Sequence, residues 1–483
     1  MFRPSATTLL VLLFLTPAGH AQDQLWELTG TPASSTTLGS TLTNVGDIDG
    51  DGVSDLAAGT TEGGFVSPLE VLSGADGSVL FQGSAAFYTR AAAAGDVNND
   101  GVADFIVGSA EGVTVRRGPG GAKLFDLTDL FLGPGVLGIG DVNADGHDDL
   151  AVSGFENLAP GFVRVYSGLD QTALYTVWGN VVHDGFGSIL ATVGDLDEDG
   201  VPDFLAGNGA HPYGKAISAA SGAVLYEFQT SAPISALAAF GDQDADGVED
   251  FLVGSAQDDS AGMDAGRVWL LSGADGSTIT TFEGTAAGQK FGDAVASAGD
   301  VDQDGTLDWI AGAPGDATAG PDAGAAFLYS GSAGVRLYTF TGAAGDELGA
   351  SVAGGLDANG DGRGDLAISS PSLVLGNLGQ VRLHAGSDLY LNSIPREPLA
   401  GGSVTWETGR GQAGGPYAIF LLAVNGSPFL RLLVLGNLDP QGTSSLPLSV
   451  SPNAAGFALT LRGFAFDAGG KLVQSSDEIM SVP

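Results

Sequence analysis

GDIDGDGVSDLAAG, residues Gly46–Gly59, is the stretch on which the architecture turns, because the chain writes it seven times. It returns as GDVNNDGVADFIVG (Gly95–Gly108), GDVNADGHDDLAVSG (Gly140–Gly154) and GDLDEDGVPDFLAG (Gly194–Gly207). Three further copies are GDQDADGVEDFLVG (Gly241–Gly254), GDVDQDGTLDWIAG (Gly299–Gly312) and LDANGDGRGDLAIS (Leu356–Ser369). The first Asp of each copy falls at 47, 96, 141, 195, 242, 300 and 357, so the intervals run from 45 to 58 residues. A fixed period of this size is the mark of a repeat architecture, and it takes precedence over local readings.

Each interval reads as strands. A small apolar segment such as Ala294–Ala298 precedes a loop, and a short run such as Phe251–Val253 follows it. Next come an alternating segment (Arg267–Leu271), a Ser-Gly-Ala-Asp-Gly turn (Ser272–Gly276, also Ser73–Gly77) and a fourth strand (Thr278–Phe282). Four strands joined by tight turns, with no helical periodicity, make a meander. A lone four-stranded sheet leaves a face uncovered, whereas sheets packed around an axis cover one another. The sequence therefore predicts an all-β, seven-bladed β-propeller over 22–390. Leu25–Gly30 (LWELTG) matches the fourth-strand text Leu337–Gly342 (LYTFTG), so it is expected to supply the outer strand of the last blade.

Within each loop, Asp or Asn stands at positions 1, 3 and 5, Gly at 6 and Asp at 9. Oxygen side chains at alternate positions of a tightly turning backbone converge on one point, and the glycine permits the turn. Hard anionic oxygens without nitrogen or sulfur select Ca²⁺ ahead of Mg²⁺. The expected ligands, with a backbone carbonyl at position 7, are Asp47, Asp49, Asp51, Val53 and Asp55; Asp96, Asn98, Asp100, Val102 and Asp104; and Asp141, Asn143, Asp145, His147 and Asp149. They continue as Asp195, Asp197, Asp199, Val201 and Asp203; Asp242, Asp244, Asp246, Val248 and Asp250; Asp300, Asp302, Asp304, Thr306 and Asp308; and Asp357, Asn359, Asp361, Arg363 and Asp365. Up to seven Ca²⁺ ions are expected. EF-hand loops share positions 1 to 6 but need Glu at 12 and flanking helices. Position 12 here is Ala58, Val107 or Val152, inside a strand.

The composition narrows the partners. With 17 Lys+Arg against 57 Asp+Glu the formal charge is −40, which opposes binding to nucleic acid or anionic lipid. The chain has no Cys, so disulfides, thiolate chemistry and Cys-ligated metals are excluded. At the N-terminus, Arg3, the apolar run Leu9–Leu15 and Gly19-His20-Ala21 form the three-part pattern of a secretory signal over 1–21. That run is too short to span ~30 Å of hydrocarbon. The mature protein is expected to be exported, with no transmembrane segment.

Phe291–Ala296 (FGDAVA) running into Gly299-Asp300, then Asp308–Pro314 (DWIAGAP), resembles the FG-GAP repeat of integrin α-subunit propellers and their bacterial relatives. Leu348–Ala353 and Phe186–Ser188 are similar starts. The resemblance implies a seven-bladed propeller with Ca²⁺ between the first and second strands of each blade and ligand binding on the opposite face.

Catalytic signatures are absent from the sequence. Of five His, His20 lies in the signal and His147 in a loop, while His183, His211 and His384 are far apart. Gly209–Lys215 imitates a P-loop, but Ala216 stands where Ser or Thr would be needed. Arg363-Gly364-Asp365 spells an adhesive tripeptide, yet its Asp is a ninth-position ligand. The longer loops between second and third strands, among them Asn208–Lys215 with Tyr213 and Lys215, are the expected recognition surface. After a linker over 391–402, strand-like runs predict a small β-sandwich over 403–483. The expected function is an adhesion or carbohydrate/protein-binding module with an extracellular glycan or protein ligand, not an enzyme. The alternatives are a polysaccharide-degrading enzyme and a structural envelope component.

Overall fold

The computed structural model describes residues 24–29, 38–59, 67–85, 90–109, 112–128, 132–156, 158–182, 184–302, 304–331, 334–360, 363–371 and 379–386. Of the C-terminal part it describes the backbone of the strands named below. The signal expected at 1–21, Asp361 and His183 lie outside these residues.

Seven antiparallel four-stranded sheets follow one another along the chain, six of them in simple meander order. Their innermost strands are Thr41–Gly46, Arg90–Gly95, Leu132–Gly140, Phe186–Thr192, Ala236–Gly241, Val295–Gly299 and Val352–Leu356, which open blades 1 to 7. Each touches the innermost strand of the next blade, and that of blade 7 touches that of blade 1, so the ring is complete. In blade 7 the fourth place is taken by Gln24–Thr29, which pairs antiparallel with Gln380–His384 (Thr29 opposite Gln380). Both ends of the repeat region thus meet in one sheet. Trp26 carries this closure into blade 1, its indole Nε1 donating to Gly74 O at 2.8 Å.

Burial follows position in the blade. Second strands such as Asp104–Ser109, Asp250–Ser255 and Asp308–Ala313 are buried at every residue. Both of their faces meet a neighbouring blade, so these strands read as continuous apolar runs rather than alternating ones. Outer strands such as Thr278–Glu283 alternate between half-buried and exposed residues. The cores lie between blades. Phe105 packs with Val45 and Leu69 across blades 1 and 2, Phe162 with Ile106 across 2 and 3, and Trp309 with Phe240 across 5 and 6. Leu56 packs with Leu383 across blades 1 and 7, which seals the ring. Stacked neighbours therefore supply the burial that one sheet lacks.

The C-terminal strands form two antiparallel sheets. One orders Leu391–Ile394, Ser403–Thr408 and Ser444–Ser449; the other orders Ser427–Asn437, Pro416–Val424, Ala458–Phe466 and Leu472–Gln474, with Glu478–Ser481 also on Ala458–Phe466. These two sheets stand in the region where a small β-sandwich is expected. The linker expected at 391–402 is corrected at its start: Leu391–Ile394 pairs with Ser403–Thr408, Leu391 opposite Thr408. Prolines and glycines led the reading there, while the short strand before them carries little pattern.

Candidate metal centres in the blade loops

The loops after the innermost strands share one hydrogen-bond plan. Strands of five blades end on a glycine of positive φ (Gly46, Gly95, Gly140, Gly241 and Gly299), and in blade 7 Gly355 stands one residue before the strand's end. A register shift accompanies the glycine, as between Asn44 and Gly46. This bulge turns the chain out of the ladder and aims the following Asp inward. That first Asp then caps the turn. Asp47 Oδ1 accepts from the Asp51 amide at 3.1 Å and Oδ2 from the Gly52 amide at 2.9 Å. The same pair of bonds recurs at Asp96, Asp141, Asp195, Asp242 and Asp300. Position 5 accepts from the amide of position 7, as Asp199 Oδ1 does from Val201 at 2.9 Å. Gly52 stands at φ 89° and Gly247 at 95°, the left-handed region that a glycine at position 6 reaches without strain.

The ninth-position Asp faces the other way, into the blade. Asp250 accepts from the Gln243 amide at 2.7 Å and from the Gly273 amide at 3.0 Å. Every blade repeats this latch between the loop and the second residue after the third strand. The second donors are Gly74, Gly118, Gly168, Ala219, Gly331 and Gly386 for Asp55, Asp104, Asp149, Asp203, Asp308 and Asp365. Close approach explains glycine there: a Cβ on Gly273 would fall 2.0 Å from Glu249 O. All seven of these Asp are buried. Burial pushes the carboxyls of Asp55, Asp104, Asp149 and Asp203 up to about 6 and that of Asp308 to about 7. Neighbouring loop carboxylates add to the rise, and the amide hydrogen bonds oppose it.

In four loops the acidic oxygens converge. Asp47, Asp49 and Asp55 offer carboxylate oxygens within 4.8 Å of one another, as do Asp195, Asp197 and Asp199; Asp242, Asp244 and Asp246; and Asp300, Asp302 and Asp304. The remaining loops carry Asn at position 3. There the Asn amide turns to the ninth-position Asp: Asn98 Nδ2 donates to Asp104 at 2.9 Å, Asn143 to Asp149 at 3.4 Å and Asn359 to Asp365 at 3.3 Å. Arg117 adds an ion pair to Asp100 at 2.8 Å in blade 2. At position 7, His147 Nδ1 lies 2.7 Å from Val97 O, and Arg363 donates to Val301 O at 3.4 Å, each reaching the loop of the preceding blade. Arg363 and Asp365 are buried, so the adhesive tripeptide text is not displayed.

Residues 348–384, which span blade 7 from before its first strand to the end of its third, match the family model of the FG-GAP repeat. The chain is a seven-bladed β-propeller whose last blade matches the FG-GAP repeat. Solved structures similar to this chain include two of BBS1N in complex with ARL6DN, from crystals soaked with mercury and with lead. Each has 10% sequence identity and a TM-score of 0.49, and covers 76% of this chain and 98% of that one. No curated protein matches the sequence. Among the described residues, no helix is long and apolar enough to cross a membrane.

On the opposite face of the propeller, one expectation needs correction. Tyr213 and Lys215 are buried members of the strand Tyr213–Ile217 rather than parts of an exposed recognition loop. Tyr213 donates its hydroxyl to the buried Asp184, and Lys215 Nζ donates to Trp178 O at 2.9 Å. Asp184 also accepts from the amides of Gly161, Asn180, Val181 and Phe186. This inter-blade knot had no repeat signature by which the sequence could reveal it.

Proposed function

We propose that the protein is a secreted, calcium-binding propeller that works as an adhesion or carbohydrate/protein-binding module, without catalytic turnover. A propeller carrying an FG-GAP repeat supports a binding-type module. The observation that carries the calcium reading is the convergence of three carboxylate oxygens within 4.8 Å in loops on four blades. The donor set is all oxygen, which suits a hard cation of flexible coordination. Asp47, Asp49 and Asp55 would hold the ion in blade 1, and the Asp residues at positions 1, 3 and 5 (Asp195, Asp197 and Asp199; Asp242, Asp244 and Asp246; Asp300, Asp302 and Asp304) in blades 4, 5 and 6. Bound calcium would supply charge neutralisation that pins the loop to the blade. The Asn-bearing loops offer fewer charges and an amide already turned to the ninth Asp. They are the weaker sites of the set. Export is supported by the charged, apolar and small-residue order of residues 1–21.

Calorimetric titration of chelator-treated protein with CaCl₂ and MgCl₂ tests the metal reading. At least four calcium equivalents are expected, with magnesium weaker. No heat at millimolar calcium refutes it. A glycan array read in calcium, with reducing-end release assayed beside it, tests the module: binding without release is expected, and release of sugar overturns it.

A further inference from the structure

Arg90 opens the innermost strand of blade 2, at the end remote from that blade's acidic loop. Its Nη1 donates to the backbone oxygen of Ser188 at 3.1 Å, in the innermost strand of blade 4. A bond between innermost strands two blades apart skips blade 3 and runs across the rim of the central opening. Blade 3 places glycines at this level: a Cβ on Gly135 would fall 2.3 Å from Gly187 O, so this position adds no side chain to the span. The guanidinium carries five donors in a planar fork and stays charged at any ordinary pH. Burial disfavours its charge. Even so, among the described residues no carboxylate forms an ion pair with it, in a chain with 57 acidic residues. Arg117, Arg267 and Arg382, by contrast, each meet an acid. Its nitrogens are also not among the sealed, unsatisfied ones, so the fork keeps access to solvent.

A desolvated guanidinium with donors to spare and a path to water is half of an ion pair. We infer that the rim of the central opening on the face remote from the acidic loops binds a single carboxylate group, which forms a bidentate pair with Arg90. The charge of the protein sets the ligand class. A net charge of −40 repels each added negative charge, so a singly charged, planar carboxylate is favoured over phosphate or a polysulfated chain. The carboxylate can come from a free acidic sugar or from a uronate within a chain. This deepens the binding-module reading and does not depend on calcium at the opposite loops.

The test uses full-length mature protein in millimolar CaCl₂, titrated with galacturonate, trigalacturonate and, as the neutral match, galactose. Carboxylate probes should bind at least tenfold more tightly than galactose, and Arg90→Gln should abolish the difference while Arg90→Lys keeps part of it. Trigalacturonate binding without galacturonate binding assigns the site to chain-borne uronate; the reverse assigns it to the free acid. Equal binding of galacturonate, trigalacturonate and galactose by the unmutated protein overturns the inference, whether or not the variants fold. So does undiminished carboxylate binding by a folded Arg90→Gln. A parallel calcium titration keeps the two readings apart: calcium uptake without carboxylate binding sinks this inference alone, and the converse sinks only the calcium reading.

Discussion

The ninth-position Asp does two things that substitution can separate, and Asp308 is the place to do it. Its carboxylate accepts from the amides of Val301 at 2.8 Å, Asp302 at 3.1 Å and Gly331 at 3.0 Å. Asp308→Ala leaves at least two of these donors buried without a partner, at about 1–3 kcal/mol each. A mid-range loss of about 4 kcal/mol, at roughly 2 °C per kcal/mol for a large domain, lowers Tm by about 8 °C. Because the latch needs no metal, this fall should appear in excess EGTA. Asp302→Ala is the contrast. Asp302 lies nearer the solvent, where it accepts from the Asp304 amide, so its removal in EGTA should move Tm by only about 1 °C. In calcium the same change should cost most of the stabilisation from one site, about 1.4 kcal/mol at ten times Kd. Differential scanning calorimetry of both variants, with EGTA and with millimolar CaCl₂, gives the four numbers. If Asp308→Ala in EGTA stays within 2 °C of the unmutated protein, or Asp302→Ala is as damaging there, the division into latch and ligand is wrong.

Removing calcium from the unmutated protein should lower Tm: four sites at ten times Kd contribute about 6 kcal/mol, and a thermogram unchanged by EGTA contradicts this. Metal-free stability should also depend on pH in a definite direction. Asp55, Asp104, Asp149 and Asp203 titrate near 6 and Asp308 near 7 when folded, above the ~3.9 of an unfolded Asp. The folded state therefore holds more protons between about pH 4 and 7, so Tm in EGTA should fall as pH rises through that window; a rise there refutes the burial argument. Calcium uptake at pH 6 should correspondingly release protons, measurable by comparing binding heats in buffers of different ionisation enthalpy. At the closure, Trp26→Ala removes the bond to Gly74 O and a ring that lies against Gly77, and should cost about 2–3 kcal/mol and speed proteolytic cleavage. Unchanged proteolysis would mean that Gln24–Thr29 does not hold the ring.

What was legible in the sequence is whatever the repeat wrote down. The four-strand period, the ring and the Leu25–Gly30 closure follow from counting copies of one loop and noticing that one fourth strand lies ahead of the first. The latch was not legible, although its residues were in view. Ser272–Gly276 reads as a turn, and nothing local says that the Gly273 amide ends beside Asp250, 23 residues earlier, because the third strand has to run back along the second before the two can meet. The difference between Asp and Asn at position 3 was likewise visible but silent. Only the folded loop shows that the extra donor of Asn143 points at the ninth carboxylate. Tyr213 and Lys215 misled for the opposite reason: glycine, proline and histidine around them read as a loop, while the neighbouring blade buries them.

The loop of blade 1 has a burial gradient that bears on the proposed metal site. Asp49 and Asp51 are exposed, Asp47 is half-buried and Asp55 is sealed behind them. A cation entering from solvent would meet mobile, hydrated oxygens first and a desolvated carboxylate last. The exposed acids are cheap to keep charged but weak in attraction, since water screens them. The buried Asp is costly to keep charged, and that cost vanishes when a cation arrives. Metal binding is therefore favoured most where the fold alone is least comfortable. Reversing the order, with the buried position neutral and the exposed ones acidic, would leave an ordinary solvated turn. In blade 1 the latch carboxylate of Asp55 thus also faces the candidate ion beside Asp47 and Asp49, whereas in blades 4, 5 and 6 the converging oxygens come from positions 1, 3 and 5 and the ninth Asp serves the latch.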